Sequence, residues 1–597
     1  MKIQLQYFSI VLALLAGIPR VAAQATLIIS PAVISNTYVG PIAMNITGLV
    51  SGETVELDHY ADVNTNGVID TNDLLVASFR VTDGQVATIG GVTNLNVPGD
   101  LNAANGVITT VLNYLKPALQ YPSGTHLFRL SSVAGNWPPV TNSLTITNYP
   151  FPQVFNGKVV SGSSNVPYAF VGAKNPASGF NGFAFADSGG NYSLPVATGS
   201  YTLLAFKPGY VYDINAAPSY SPSAPGTNTT NLSLVAATTT LGGGLVDSAN
   251  TNHGLPGVFM FLKSSGGFAA SGWTDTNGNF KVPVTADIWG IQLQESSGLA
   301  GLGYLEMSGN FNAEPFYDTT GSSVTNAFIP LPKGTAMFYG RITNSAGSPL
   351  AGVQFFTSPN NNSNIYTGLG VSDTNGNYTA LTQGGTNGTN WSVQLDSPGP
   401  TNYVVSSGGN SSFNNNQAVA QLFLAEPATG VIMGQITNNA GAPVSGIEVN
   451  GNISVGAFNF QSVEETAGNG AYALPAFNGA WNVQPNDNNS EDGLNGNGYN
   501  GVDGQSVTLS SASATANFTV YPLGAAVLSS PVFSRAGQLS FQLNAVNGYN
   551  YYVQVSTNLA NGNGWVTILT TNLQTYSITV QDSQATNQAR FYRAVKQ

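Results

Sequence analysis

The sequence predicts an all-β chain: a tandem array of small Greek-key β-sandwich domains behind a signal peptide. Three observations carry this. Landmark residues recur four times at near-constant spacing. Apolar residues alternate with period two through short runs bounded by Gly, Asn, Asp, Ser and Pro, the pattern of half-buried strands and turns. No segment shows the 3.6-residue period of a long amphipathic helix.

The recurrence organises the chain. Four segments open on Gly157-Lys158-Val159, Gly244-Leu245-Val246, Gly340-Arg341-Ile342 and Gly434-Gln435-Ile436. The last three run on into Leu255-Pro256-Gly257-Val258, Pro349-Leu350-Ala351-Gly352-Val353 and Pro443-Val444-Ser445-Gly446-Ile447. The first has only Val166-Pro167-Tyr168-Ala169-Phe170. An acid follows each opening glycine after 30 to 33 residues: Asp187, Asp275, Asp373 and Glu465. The runs Asp275-Thr-Asn-Gly-Asn-Phe280 and Asp373-Thr-Asn-Gly-Asn-Tyr378 combine Asx-turn chemistry with a glycine for positive φ, so each is expected to join two strands tightly.

A third landmark is aromatic: Tyr201, Trp289, Trp391 and Trp481. Each begins an alternating strand, as in Trp391-x-Val393-x-Leu395, and each copy closes on another, such as Leu232-x-Leu234 or Phe518-x-Val520. The copies are expected at 150–236, 237–333, 334–426 and 427–523, end to end. A β domain at 26–149 precedes them and a last unit at 524–597 follows.

The glycine opening, the Pro-x-x-Gly-Val turn and the Asp-x-Asn-Gly-x-Tyr/Phe run resemble the carboxypeptidase regulatory-like domain family, close to collagen-adhesin B-type repeats and the transthyretin-like sandwich. The resemblance covers roughly residues 150–523. It implies a non-catalytic sandwich used as a stalk, spacer or binding module. Some adhesin repeats link Lys to Asn covalently, and by resemblance Lys158 is the residue to inspect. No lysine lies between Lys333 and Lys596, so the third and fourth copies have none to offer. The stretches Val553-Gln-Val-Ser-Thr-Asn558 and Arg590-Phe-Tyr-Arg593 resemble a small fibronectin type III-like sandwich that ends many secreted bacterial proteins. Its strands are expected around Leu539–Leu543, Tyr551–Val555, Val566–Leu569 and Tyr576–Val580.

Residues 1–25 read as a secretory signal: Lys2, an apolar run from Phe8 to Ile18 too short to span a bilayer, Pro19, then small residues around Ala23. No later segment is long and apolar enough to span. The expected location is extracellular or the cell surface, and the expected partner an extracellular glycan or cell-surface component.

Composition excludes several functions. Of 597 residues, 16 are Lys or Arg and 28 Asp or Glu, a balance of −12 that opposes nucleic-acid binding over the chain as a whole. Cysteine is absent, which removes disulfides, thiolate metal sites and Cys nucleophiles. His59, His126 and His253 have no partner His or Glu three or four residues on, as a zinc peptidase would need. There is no Gly-x-Ser-x-Gly elbow and no phosphate-cradling glycine loop ahead of a helix. No catalytic residue is expected.

One stretch carries defined chemistry. In Asp62–Asp73, positions 1, 3, 5, 9 and 12 of an EF-hand-type loop are Asp62, Asn64, Asn66, Asp70 and Asp73, with Gly67 at position 6 and the Val68 carbonyl at position 7. Oxygen-only donors at this spacing suit Ca²⁺ in a structural role. The loop resembles that of dockerins. A second copy is missing, since Asp100, Asn102, Asn105 and Gly106 are wrongly spaced, and the flanks read as strands, so cohesin docking is not expected. The loops at Asp275 and Asp373 carry one acid each and read as turns. The Asp487–Asp503 stretch, with Glu491 and Asp492, reads as a solvated loop with a weak ion as the alternative. Recurrence marks Trp289, Trp391 and Trp481 as core, and Trp273 aligns with core positions. Trp137, beside two prolines, stays open as a surface platform. The expected function is a secreted, non-enzymatic spacer or adhesin, with carbohydrate binding through starch-binding-like sandwiches as the alternative.

Overall fold

A computed structural model describes residues 24–113, 122–175, 179–220, 226–293, 297–307, 315–360, 365–395, 402–490, 492–534, 538–559, 564–585 and 589–596. Nearly all of the signal-peptide assignment therefore lies outside the described residues, as does Glu491. The fold is all-β, and among the described residues there is one short α-helix, Ser297–Leu302. Two compact units divide the chain: residues 1–343, 348–398 and 408–422 form one, and 344–347, 399–407 and 423–597 the other.

The first unit begins with a sandwich. A three-stranded sheet of Thr26–Ser30, Ile42–Thr47 and Ile108–Leu112 faces a five-stranded sheet of Val33–Ser35, Val140–Thr147, Gly124–Ser132, Thr54–Ala61 and Leu74–Thr82. Alternation puts Ile42, Met44 and Ile46 of one sheet against Val55, Leu57, Phe128 and Leu130 of the other, all but excluded from solvent.

Each repeat is organised around the strand that carries its opening glycine: Gln153–Ser161, Thr239–Asp247, Ala336–Asn344 and Gly430–Asn438. On one side it pairs antiparallel with the strand after the landmark acid. On the other it pairs parallel with the closing segment, as Ile436 does with Phe518 and Leu245 with Ile329. The register places Gly157, Gly340 and Gly434 opposite Tyr192, Tyr378 and Tyr472. In the second repeat the residue opposite Phe280 is Gly243. The opening assigned to Gly244 is thus one residue late, because a Gly-Gly-Gly run hides the register. At all four positions an added Cβ would overlap a backbone carbonyl: Thr230, Ala327, Gln421 and Ala516 respectively. Only a residue without a side chain lets the closing segment cross here.

The predicted turns form. Asp275 Oδ1 accepts from the N–H groups of Asn277 and Asn279, and Asp373 Oδ1 from those of Asn375 and Asn377. Gly278 and Gly376 take positive φ at the same turns, 77° and 75°.

The first two repeats do not simply follow one another. Tyr210–Asp213 of the first pairs antiparallel with Phe268–Trp273 of the second, so one ten-stranded sheet runs through both. Phe259 and Ala269 are buried in the core formed by Phe155, Leu203 and Leu234, while Val211 is buried among Leu241, Met260 and Trp289. A loop from the N-terminal sandwich reaches the third repeat: the Asn96 side-chain amide donates to the carbonyls of Leu369 and Thr379, at 3.1 and 3.0 Å. Within this unit the end-to-end arrangement gives way to lateral packing. Sequence periodicity reports which residues are buried, not whose core they enter.

The second unit holds the fourth repeat and the C-terminal sandwich. The repeat's second sheet orders Phe458–Glu465, Glu448–Val455, Gly479–Pro485 and Gln505–Leu509. The C-terminal sheets are Val527–Phe533, Leu539–Asn544, Ser577–Asp582 and Val566–Asn572, Asn550–Ser556, Phe591–Lys596, closing over Leu543, Tyr551 and Val553. The four strands expected here are all present.

Candidate metal centre

The Asp62–Asp73 loop connects two strands, Thr54–Ala61 and Leu74–Thr82, that pair antiparallel from Thr54↔Thr82 to Ala61↔Leu74. The sheet brings the two ends of the loop together, and the first and last acids with them. Asp62 is buried, and its Oδ1 and Oδ2 accept from the N–H groups of Asn66 and Gly67 at 3.1 and 2.8 Å. Gly67 has φ of 74°, the left-handed turn that its loop position requires. Asp73 spans the loop: Oδ1 accepts from Val63 N–H at 3.1 Å and Oδ2 from Asp70 N–H at 2.9 Å. Asp70 Oδ2 accepts from the carboxamides of Asn64 and Asn66, at 2.9 and 2.8 Å.

The donor chemistry suits a hard cation, with three carboxylates, two carboxamides and the Val68 carbonyl on one loop. Burial raises the Asp73 carboxyl, and the negative charges of Asp62 and Asp70 raise it further, against the two N–H groups that lower it. A cation among these three carboxylates would relieve that repulsion. In the arrangement observed the loop closes on its own hydrogen bonds. Among the described residues no group of three or more acidic or histidine side chains is gathered as a cage for a metal ion. Binding therefore requires Asn64 and Asn66 to turn their carboxamides so that oxygens face inward.

Behind this loop lies a feature that sequence reasoning did not reveal. His59 and His126 are buried side by side on neighbouring strands, with His59 stacked on Phe128. His126 Nε2 lies 2.9 Å from the Pro122 carbonyl, which can only accept, so Nε2 carries a proton. His126 Nδ1 is then the acceptor for His59 Nε2–H, also at 2.9 Å. Both rings are neutral. Burial pushes His59 well below its usual value, with the His126 charge adding to this, and burial brings His126 down to about 4. The two residues are 67 positions apart, and only the strand pairing His59↔Phe128 and Ala61↔His126 juxtaposes them.

Other singled-out residues serve folding. Trp289, Trp391, Trp481 and Tyr201 are buried. Trp289 and Trp481 donate Nε1–H to carbonyls four residues back, Thr285 and Phe477, at 2.9 and 2.8 Å. Trp137 is not a surface platform: it is buried in the N-terminal core and donates Nε1–H to Glu53 at 3.1 Å. Burial raises the Glu53 carboxyl, but hydrogen bonds from Val50, Ser132, Asn136 and Trp137 outweigh it and hold the group below the usual range. Trp273 is half-buried and packs on Phe259 and Phe170. Lys158 is exposed on its strand, without the burial that a Lys–Asn link needs. The Asp487–Asp503 loop is more than a solvated loop. Asp503 accepts from the N–H groups of Tyr576 and Ser577, each at 3.0 Å, and Asp487 from the Tyr576 hydroxyl, which fastens the fourth repeat to the C-terminal sandwich.

No family model matches the sequence, and no curated protein matches it. Solved structures give distant likenesses. The Bacillus anthracis TIE protein is 11% identical, with 67% of this chain and 74% of that one covered and a TM-score of 0.15. BcpA, the major pilin subunit of Bacillus cereus, is 11% identical over 47% of this chain and 99% of its own, at 0.12. GBS52, a minor pilin of Streptococcus agalactiae, is 9% identical over 33% and 99%, at 0.14. At such scores these names say nothing of what this chain does, and the functional reading rests on its own residues. Among the described residues no helix is long and apolar enough to cross a membrane.

Proposed function

We propose that this chain is an exported, non-enzymatic structural protein of the cell surface or extracellular space, a spacer or adhesin of packed β-sandwiches. The observation that carries the reading is the use made of its reactive and aromatic side chains. The recurring Gly, Tyr and Trp positions build strand crossings and cores, and three of the landmark acids, Asp187, Asp275 and Asp373, shape turns, while Glu465 ends a strand. Two of the three histidines form a buried neutral pair. The regulatory-like family supplies the same expectation by resemblance. In this reading Ca²⁺, held by Asp62, Asn64, Asn66, Val68, Asp70 and Asp73, braces the first hairpin.

Carbohydrate binding through the repeat tryptophans is the weaker reading, because a ring buried in a core cannot stack on a sugar. The test is localisation in the source organism. The mature chain should be found in the medium or be removable from intact cells by protease, with its N-terminus near residue 24 or 26. Recovery of the full-length chain from the cytoplasm alone would refute export.

A further inference from the structure

One turn of the first repeat departs from its equivalents. Tyr168, Gly257, Gly352 and Gly446 occupy the same place in the four repeats: each donates its N–H across the turn, to the carbonyls of Asp187, Thr274, Ser372 and Thr466 respectively. All four take positive φ, at 57°, 67°, 72° and 74°. Three use the residue suited to that conformation. Tyr168 holds a bulky side chain there, a costly arrangement that persists only where surrounding contacts impose it.

Those contacts come from the N-terminal sandwich. Tyr168, with Phe185 and Trp273, packs on a small cluster of Ala61, Val63 and Val76 that is separate from the sandwich's own core. The equivalent turns of the next two repeats meet the same sandwich. A Cβ on Gly257 would lie 2.7 Å from Ala77 Cα, and one on Gly352 2.5 Å from Val39 Cγ1. Asp58 and Ser78 are paired on neighbouring strands and point away from the sandwich core. They are nevertheless only 1% and 4% exposed, and Gly257 lies against the backbone between Ala77 and Ser78. Gly90 N–H adds a bond to Asn416 Oδ1 of the third repeat at 2.8 Å. In the fourth repeat, by contrast, a Cβ on Gly446 would meet only the end of the Glu465 side chain among the described residues, at 3.6 Å.

We propose that the N-terminal sandwich is a releasable clasp. Held by the same turn of three successive repeats, it keeps them folded together. Under tension it detaches, and the chain lengthens with the domain cores intact. Three features fit release. The apolar patch at Tyr168 is small and distinct from the cores on either side of it. The contacts with the third repeat are hydrogen bonds and a turn tip. Tyr168 can leave the left-handed region once its partners have gone, which favours detachment. Residues 148–152, which connect the sandwich to the first repeat, are largely exposed. The docking stands on these contacts, and its use as an extensible joint rests on the spacer reading.

The experiment cuts the full mature chain at a protease site placed in residues 148–152, follows the two pieces by gel filtration, and pulls the uncut chain in optical tweezers. The cut pieces should elute together and separate slowly on dilution. Tyr168→Gly should speed separation at least tenfold, yet leave melting unchanged or raised, because it supplies the residue the other three turns use. Val39→Glu, on exposed surface, should speed it severalfold and remains decisive if the first variant does not fold. The uncut chain should lengthen in one reversible step at a lower force than any module unfolds, and Tyr168→Gly should lower that force further. Pieces that part at once in wild type, or equal rates in wild type and both variants, would overturn the docking. Docked pieces without a low-force step would overturn the releasable joint. A cytoplasmic location would refute export and leave both results standing.

Discussion

The Gln421 carbonyl lies where a Cβ on Gly340 would have to sit, and the Tyr378 hydroxyl donates to that same oxygen at 2.9 Å. One contact thus explains two of the recurring residues. The glycine lets the closing segment pass, and the tyrosine opposite satisfies the carbonyl that passes over it. Tyr192 with Thr230 and Tyr472 with Ala516 repeat the arrangement. Burial raises the Tyr378 phenol, so it stays protonated and able to donate throughout the physiological range.

Gly340→Ala should destabilise the third repeat by about 1–3 kcal/mol or more, because the obstacle is backbone that cannot swing aside. Tyr378→Phe should cost about 1 kcal/mol, the worth of a single hydrogen bond. The second repeat already tolerates Phe280 at this position. Urea unfolding of the two variants should rank them in that order, and equal stability of Gly340→Ala and wild type would contradict the crossing geometry.

Trp391 is buried, and its Nε1 has no hydrogen-bond partner among the described residues, unlike Trp289 and Trp481. Truncation to Ala should cost about 3–5 kcal/mol through the cavity it leaves. The indole contribution to fluorescence, isolated by difference from a Trp391→Phe chain, should be blue-shifted and unmoved by oligosaccharides. A red-shifted signal quenched by sugar would return the repeat tryptophans to a binding role.

The neutral His59–His126 pair makes the N-terminal sandwich acid-sensitive. Both groups are lowered on folding, so the unfolded chain binds more protons once the pH falls below about 6.5, and stability drops. The His126 contribution is fully present above that pH and lost as pH falls towards about 4. It amounts to roughly 3 kcal/mol at the acid limit. Melting temperature measured from pH 7.5 to 4.5 in chelator should fall, and His126→Gln should flatten the slope. A parallel slope in the variant would assign the sensitivity to carboxylates instead.

Calcium should raise the melting temperature of the mature chain. At a hundredfold excess over Kd the linkage is about 2.7 kcal/mol. Asp62→Ala and Asp70→Ala should abolish the rise, while Asp275→Ala, altered in a turn, should leave it intact. Identical melting in chelator and in millimolar calcium would leave Asp62–Asp73 as a hydrogen-bonded hairpin loop.

The sheet shared by the first two repeats gives a prediction for fragments. Residues 150–333 should be soluble and protease-resistant as one piece. A cut at 236/237 separates Tyr210–Asp213 from Phe268–Trp273 and exposes Phe259 and Val211. Two stable, independent halves, seen by circular dichroism, would show that the shared sheet adds little.

By itself the sequence determined the local order of this protein. Period-two alternation, Asp-x-Asn-Gly turns and recurring glycines and aromatics specify strands, turns and buried faces, because each depends on neighbours a few residues away. The Asp62–Asp73 loop is legible as a hairpin connection rich in oxygen donors, since these lie within twelve consecutive residues. The register of the second repeat was not legible, because three consecutive glycines look alike until Phe280 selects Gly243. Tertiary structure alone decided the rest: that Trp137 turns inward to Glu53, that His59 meets His126, that Asp503 caps Tyr576 and Ser577, and that one sheet runs through two repeats. The physical reason is the same in each case. These contacts join residues tens of positions apart, and burial or hydrogen-bonding capacity in a sequence names no partner until strand pairing brings one within reach.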